Sequence, residues 1–165
     1  MSARFCDPRG LDAMLSMEPV LRTERRELLR MVEDYWTRFP SERHGVDHLA
    51  RAKRFDEQFW DETEYRFLWW AKLDGAAIGF AKTELIEDPA WGTQSEISEV
   101  YITPAFRQQG HGRAFVALIL EWFIQRGIHS VRLYVREDNA GAMVFWEKLG
   151  FATVQRWSQM HKVLP

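Results

Sequence analysis

The spacing of hydrophobic and polar positions changes several times along the chain, and each change marks an element. From Thr23 to Trp36 the apolar residues Leu28, Val32, Tyr35 and Trp36 recur at helical spacing with Arg and Glu opposite, which predicts an amphipathic helix. Phe39-Pro40-Ser41 ends it, and a weaker helical pattern runs from about Glu42 to Phe59. Arg66 to Leu73 and Ala76 to Ile86 read as strands joined by Asp74-Gly75, a strong hairpin turn. After a loop at Pro89-Ala90-Trp91-Gly92, the segment from Glu96 to Thr103 alternates until Pro104 closes it. Arg113 to Phe123 is apolar at helical spacing, Ser130 to Val135 alternates again, and Ala142, Phe145 and Leu149 return to the helical period before Gly150. Two short strands are expected from Phe151 onward, turning near Ser158. This order predicts an α/β fold: a mixed central sheet with helices on its faces.

Composition narrows the picture. With 165 residues the chain is expected to be a single domain, residues 1–165, with room for a real core. A net charge of −2 and a pI of about 6.2 supply no basic field, so nucleic acid is not an expected partner. Cys6 is the single cysteine, and no Cys/His cluster has metal-ligand spacing, so neither a disulfide nor a metal is expected. The first eight residues contain no apolar signal core, and the longest apolar run, Ala114 to Leu120, is too short to span a bilayer. A cytoplasmic protein without membrane contact is the expectation.

The chemistry is concentrated where a strand meets a helix. Between them stands Arg107-Gln108-Gln109-Gly110-His111-Gly112, a glycine-bearing turn with almost no spare residues on either side. Such a turn aims backbone N–H groups and the positive end of a helix dipole at one point, which suits a phosphate or pyrophosphate. Its pattern is neither of the familiar nucleotide loops. Phe115 stands where a dinucleotide fingerprint needs its third glycine, and Gly112-Arg113-Ala114 lacks the Lys and hydroxyl of an ATP loop. An ordinary surface turn with glycines at positive φ accounts for the hexapeptide equally well when it is taken alone.

The second half of the chain resolves that ambiguity. Asn139 is a good N-cap for the helix that Gly150 ends. Taken in order, Val100-Tyr101-Ile102-Thr103-Pro104, Arg107-x-x-Gly110-x-Gly112, Leu133-x-Val135 and Asn139-x-x-Ala142-x-x-Phe145-Trp146-Glu147-Lys148-Leu149-Gly150-Phe151 resemble the GNAT superfamily of N-acetyltransferases over roughly residues 96 to 157. The resemblance implies the GNAT (acyl-CoA N-acyltransferase) fold, in which two central parallel strands splay and the cofactor enters the gap. Its first strand would fall near Ala3 to Cys6. It also implies acetyl-CoA as acetyl donor. The N–H groups of Gln108, Gln109, Gly110, His111, Gly112 and Arg113, with Arg107 beside them, would take the pyrophosphate. The main chain of Val100, Tyr101 and Ile102 would pair with the pantetheine arm and polarise the thioester carbonyl. Asn139, Ala142, Phe145 and Trp146 would line that arm. His111 itself reads as a solvent-facing turn residue rather than a base.

Attack on a thioester requires a neutral amine. Deprotonating an alkyl amine of lysine-like pKa costs about 4.6 kcal/mol at pH 7, an α-amino group only about 1 kcal/mol. A general base is therefore worth having for the first. Glu99 and Glu96 are the candidates, Glu99 preferred. Being three residues apart on a strand, they are expected on opposite sides and unable to serve one substrate together. Where many family members carry a tyrosine acid, this chain has Trp146, whose indole N–H is no useful acid. Tyr134 or Tyr101 is the substitute candidate, each explained equally by strand packing.

The aromatic and acidic segment Phe59-Trp60-Asp61-Glu62-Thr63-Glu64-Tyr65, with Glu84, Glu87, Asp88 and Trp91, is expected to receive a cationic amine by ion pairing and cation–π contact. The expected activity is direct acetyl transfer to a small cationic primary amine in a ternary complex. Its rivals are a protein lysine or N-terminal acetyltransferase and a catalytically silent acyl-CoA-binding module. The oligomeric state is left open, a homodimer being compatible with everything above.

Overall fold

In the computed structural model of the chain, residues 2–6, 12–38, 53–61, 63–88 and 92–155 are described, and all structural statements concern these. The chain divides into two compact units, Met1–Leu133 and Tyr134–Pro165. The first holds a six-stranded sheet whose strands lie side by side in chain order: β1 (Ser2–Cys6), β2 (Asp12–Pro19), β3 (Arg66–Leu73), β4 (Ala76–Asp88), β5 (Gly92–Ile102) and β6 (Val131–Arg132). All neighbours are antiparallel except β5 and β6, which run parallel. The mixed α/β sheet is as the sequence predicts. The expected hairpin is present with the expected ends at Leu73 and Ala76, Asp74 and Gly75 both taking positive φ (48° and 83°) as a tight two-residue turn requires.

One strand escaped sequence reading. Strand β2 buries Leu15 and Met17 and alternates them with Ser16 and Glu18, the period of a half-buried strand. The alternation covers only four residues, Leu15 to Glu18, and is too short to distinguish a strand from irregular sequence. Conversely, the alternating segment from Ser130 to Val135 pairs only at Val131 and Arg132, and Phe151 to Gln155 form no strand. The proposed turn near Ser158 lies outside the described residues, as does most of the weak helix from Glu42; its described end contains a π-helical turn, Asp56–Trp60, closed by Asp61 N–H on the Asp56 carbonyl at 2.7 Å.

Helices cover both faces of the sheet. Helix α1 (Arg25–Arg38) buries Leu28 and Val32 together with Phe55 and Phe59 of the π-helical segment against Trp70, Phe80 and Tyr101. The Trp70 indole N–H, fully buried with its ring, donates to Glu24 at 2.9 Å, so this large side chain brings no unsatisfied donor inside. On the opposite face lies α2 (His111–Ile124), whose Phe115, Val116, Ile119, Trp122 and Phe123 are buried. Trp122 packs edge-on against Phe67 and Trp69, each at 4.9 Å between ring centres.

Gly79 of β4 faces Ile102 of β5 with no room for a side chain. A Cβ there would stand 2.2 Å from the Tyr101 carbonyl oxygen and 2.7 Å from Ile102 Cδ1. Backbone cannot yield as a flexible side chain can, so Gly79→Ala is expected to cost about 2–3 kcal/mol of stability by overpacking. Urea unfolding of the variant measures this; a change below about 0.5 kcal/mol would mean the strands separate freely at this point.

Candidate functional site

Strand β5 carries the site, and an irregularity in it decides the geometry. Thr83 of β4 faces Ile97, but the next residue, Lys82, faces Glu99, so Ser98 is an extra residue in β5. This is a β-bulge, which bends a strand and increases its twist. It follows directly on the last parallel pair with β6, Ser95 with Val131 and Glu96 with Arg132. Beyond Glu96 the two parallel strands part. From Ile97 to Ile102 that edge of β5 has no ladder partner among the described residues, and Val100, Tyr101 and Ile102 lie within it.

The bulge also overturns an expectation. Counting alternate residues sent Glu96 and Glu99 to opposite faces; the extra residue restores them to one. Glu96 faces Glu84 and Glu99 faces Lys82, two residues apart on β4 and therefore on the same side. The Ser98 hydroxyl lies 2.9 Å from Glu84 Oε2 and 3.1 Å from Glu96 Oε1, sharing its single proton between them. Arg66 pairs with Glu84 at 3.0 Å, Lys82 lies 3.9 Å from the same carboxylate, and Arg132 pairs with Glu96 at 3.1 Å. Burial acts to raise the Glu84 pKa, but Lys82, Arg66 and Ser98 together hold it below the ordinary carboxylate value.

Glu99 differs from both. Among the described residues it joins no ion pair; its Oε2 instead accepts the hydroxyl hydrogen of Tyr35, from α1. Burial raises its pKa above the ordinary glutamate value, and the opposing effects of the Tyr35 hydrogen bond, Lys82 and Arg54 do not cancel that. Tyr35 is in turn pushed above the ordinary phenol value by burial and by the Glu99 charge, so its hydroxyl stays protonated and remains a donor. Its neighbour Asp34 accepts from the Tyr101 hydroxyl. Sequence periodicity identified Tyr35 only as part of an apolar helix face. Nothing local to residues 28–36 announces a partner on β5.

The glycine turn joins β5 to α2 through the single helical turn Pro104–Phe106. Gln108 and Gly110 take positive φ, 58° and 87°, whereas Gly112 is already helical. The first bond of the α2 ladder runs from Ala114 N–H to the Gly110 carbonyl at 3.0 Å, so the N–H groups of the preceding turn point out of the helix end. Arg107 is held beside them: its Nε donates to the Ile102 carbonyl at 2.7 Å, and its guanidinium sits 5.1 Å above the Tyr101 ring. Gln109 donates to the Ala105 carbonyl at 2.9 Å. His111 corrects a further expectation. It is not solvent-facing but 1% exposed, with its ring 6.2 Å from that of Phe106. As the first residue of a helix packed on the sheet, it turns inward with the apolar face.

The remaining sequence-derived residues belong to the second unit. Asn139 caps α3 (Ala140–Glu147) as expected, its side-chain oxygen accepting the Ala142 N–H at 3.2 Å. Gly150, at φ 88°, ends the helix, and Trp146 packs edge-on between Phe145 and Phe151 at 5.0 and 5.2 Å. Tyr134 is exposed.

On the acidic and aromatic segment, Phe59, Trp60, Asp61 and Thr63 line a cavity of about 160 Å³ with Val20, Arg22, Arg66 and Leu68. Two of the rings expected to attract a cationic substrate, Trp60 and Phe59, already carry the protein's own cations. Arg22 lies 5.1 Å from the Trp60 ring and Lys82 5.4 Å from that of Phe59. Glu62 and Trp91 lie outside the described residues.

A parallel strand pair that opens beside a glycine turn, with helix N–H groups aimed outward at that turn, is an arrangement suited to a phosphate-bearing cofactor. The cradle fits a diphosphate, since Gly110 supplies the left-handed backbone and no side chain at the turn. No helix among the described residues is long and apolar enough to cross a membrane, and no group of three metal-binding side chains occurs among them.

The chain belongs to the acetyltransferase (GNAT) family, whose model matches residues 28–151. A mycothiol acetyltransferase of Frankia casuarinae is 34% identical over 126 residues, covering 72% of this chain and 35% of that protein. An uncharacterized N-acetyltransferase of Methanocaldococcus jannaschii is 31% identical over 96 residues, 55% of this chain and 42% of the other. The chain thus spans less than half the length of these curated relatives. Among solved structures, an aminoglycoside N-acetyltransferase in complex with CoA superposes with a TM-score of 0.71 at 18% identity, covering 92% of this chain and 97% of that one.

Proposed function

We propose that this protein transfers the acetyl group of acetyl-CoA directly to a small primary amine, with Glu99 as general base. The observation that carries this reading is the state of Glu99: a carboxyl that is held by a tyrosine, lacks an ion-pair partner among the described residues, and stands at the start of the free edge of β5. Glu96 and Glu84 are engaged by arginines on the same face, so they serve as fixed negative charge rather than as bases. Glu99 takes a proton from the attacking amine nitrogen, the new N–C bond forms at the acetyl carbon, and the C–S bond breaks. The leaving thiolate, of ordinary pKa about 8.5, needs no dedicated acid and is protonated from water. Trp146 and the exposed Tyr134 are therefore not required as acids. Recognition of the acceptor's charge falls to Glu99, which joins no ion pair among the described residues, whereas Glu84, Glu96 and the rings of Trp60 and Phe59 already face the protein's own cations. The GNAT membership, the CoA complex of the aminoglycoside acetyltransferase and the mycothiol acetyltransferase similarity support the donor and the amine acceptor.

The test is thiol release from acetyl-CoA in the presence of polyamines, aminoglycosides and amino acids, set against lysine-bearing and N-terminal peptides. Turnover of one or more small amines above all peptides is expected. Turnover of peptides alone would replace the reading with protein acetylation. Tight CoA binding without thiol release on any amine would leave a silent binding module.

A further inference from the structure

The Tyr35 ring packs on Phe80 and Tyr101, at 5.9 and 5.5 Å, and that packing accounts for its apolar part. It does not account for the hydroxyl. We infer that Tyr35 is a positioning residue for Glu99: its O–H fixes Oε2, leaving Oε1 as the oxygen that takes the amine's proton. The inference rests on the reading of Glu99 as general base.

The argument is geometric. Past Ser98, β5 has a ladder partner along one edge only among the described residues, since its pairing with β6 ends at Glu96. A side chain on such a segment has to be held from the face of the sheet. Helix α1 does so through two consecutive residues: Tyr35 donates to Glu99, and Asp34 accepts from Tyr101 two residues further along the strand. Both bonds fall within the segment that has lost its parallel neighbour. A carboxylate in this setting has few rotamers, and catalysis by a base depends on holding it within hydrogen-bond reach of the proton it removes.

Among the described residues, the charged groups that act on Glu99 are Lys82 and Glu84 from β4 and Arg54 from the segment before the π-helical turn; Asp34 precedes Tyr35 on α1, and Glu96 lies on the same face of β5. Among these neighbours Tyr35 alone is hydrogen-bonded directly to the carboxylate. Because its phenol is held above its ordinary pKa, the donor persists throughout the working pH range.

Tyr35→Phe tests this in the full-length protein, using the panel amine that turns over fastest. Losing a donor to a charged acceptor is expected to raise the Glu99 pKa by about one pH unit, read from its carboxyl carbon in an NMR titration and from the acid limb of kcat/KM. Plateau kcat above that limb is expected to stay about tenfold low, since pH cannot restore orientation. Asp34→Asn removes a negative charge from this face but keeps the Tyr35 hydroxyl, so any movement of its limb is expected to be to lower pH, opposite to that of Tyr35→Phe. If Glu99→Gln abolishes the limb while Tyr35→Phe moves neither limb nor plateau, the inference is overturned and the Glu99 reading stands. If Glu99→Gln keeps both rate and limb, the base reading fails and the inference with it. Should Tyr35→Phe not fold, global replacement of the 4 tyrosines by 3-fluorotyrosine supplies a stronger donor. The limb should then move to lower pH, and an unmoved limb would overturn the inference.

Discussion

Glu99→Gln is expected to lower kcat/KM for a strongly basic alkyl amine by about 10²- to 10⁴-fold, the span of a lost general base. The loss depends on the acceptor. An amine of lysine-like pKa costs about 4.6 kcal/mol to deprotonate at pH 7, a cost that a base at Glu99 would offset; an α-amino acceptor costs about 1 kcal/mol and should lose far less. Steady-state kinetics with two acceptors of different pKa checks both the size and the difference. Equal losses for the two would argue that glutamine disturbs binding rather than proton transfer.

The sign of the pH dependence follows from burial. Glu99 is raised above its ordinary value in the folded protein, so activity should fall as pH drops through that raised value, above the range where an exposed glutamate titrates. Stability moves the other way. The folded state binds this proton more tightly than the unfolded chain, so the stabilising contribution is fully present below the unfolded pKa and is lost as pH rises through the folded one. At pH 7 the wild type therefore bears the cost of a buried charge that Glu99→Gln removes. The variant should unfold at a temperature equal to or above that of the wild type, which separates a catalytic loss from a folding loss.

Valine at Gly112 is expected to weaken coenzyme A binding about 10- to 100-fold, the cost of losing one or two hydrogen bonds to a charged group. This position isolates the ligand's requirement from the backbone's. Gly112 is helical, so valine there meets no positive-φ strain, and helix propensity slightly favours it over glycine. Gly110, at φ 87°, confounds the two, because a β-branched residue is strained at that φ whether or not a phosphate approaches. Calorimetric titration with coenzyme A, set beside thermal unfolding, distinguishes them. An unchanged affinity in Gly112→Val would mean that the amides of this turn do not grip the diphosphate.

What could be read in advance was local. Asp74-Gly75 specified its turn, the apolar period over residues 23–36 specified α1, and Gly110 and Asn139 specified a left-handed turn and a cap, because each signal lies within one element and depends on a few neighbouring residues. The two candidate bases and the glycine turn were legible for the same reason.

Their arrangement was not. Ser98 is an ordinary strand residue until β4 and β5 are paired; only the register of that pairing makes it a bulge, returns Glu96 to the face of Glu99 and releases β5 from β6. His111 reads as a polar turn residue until the helix it begins packs on the sheet and buries it. Trp60 and Phe59 read as open to a substrate cation until Arg22 and Lys82, 38 and 23 residues distant, arrive over them. Tyr35 and Glu99 meet across 64 residues. The amino-acid order by itself determined the hairpin, the helices that begin at Arg25, His111 and Ala140, and the glycine turn, because each rests on a local pattern. Tertiary structure decided which carboxylates are ion-paired and which is held by a tyrosine instead, because ion pairs and burial are set by contacts between segments that no local pattern records.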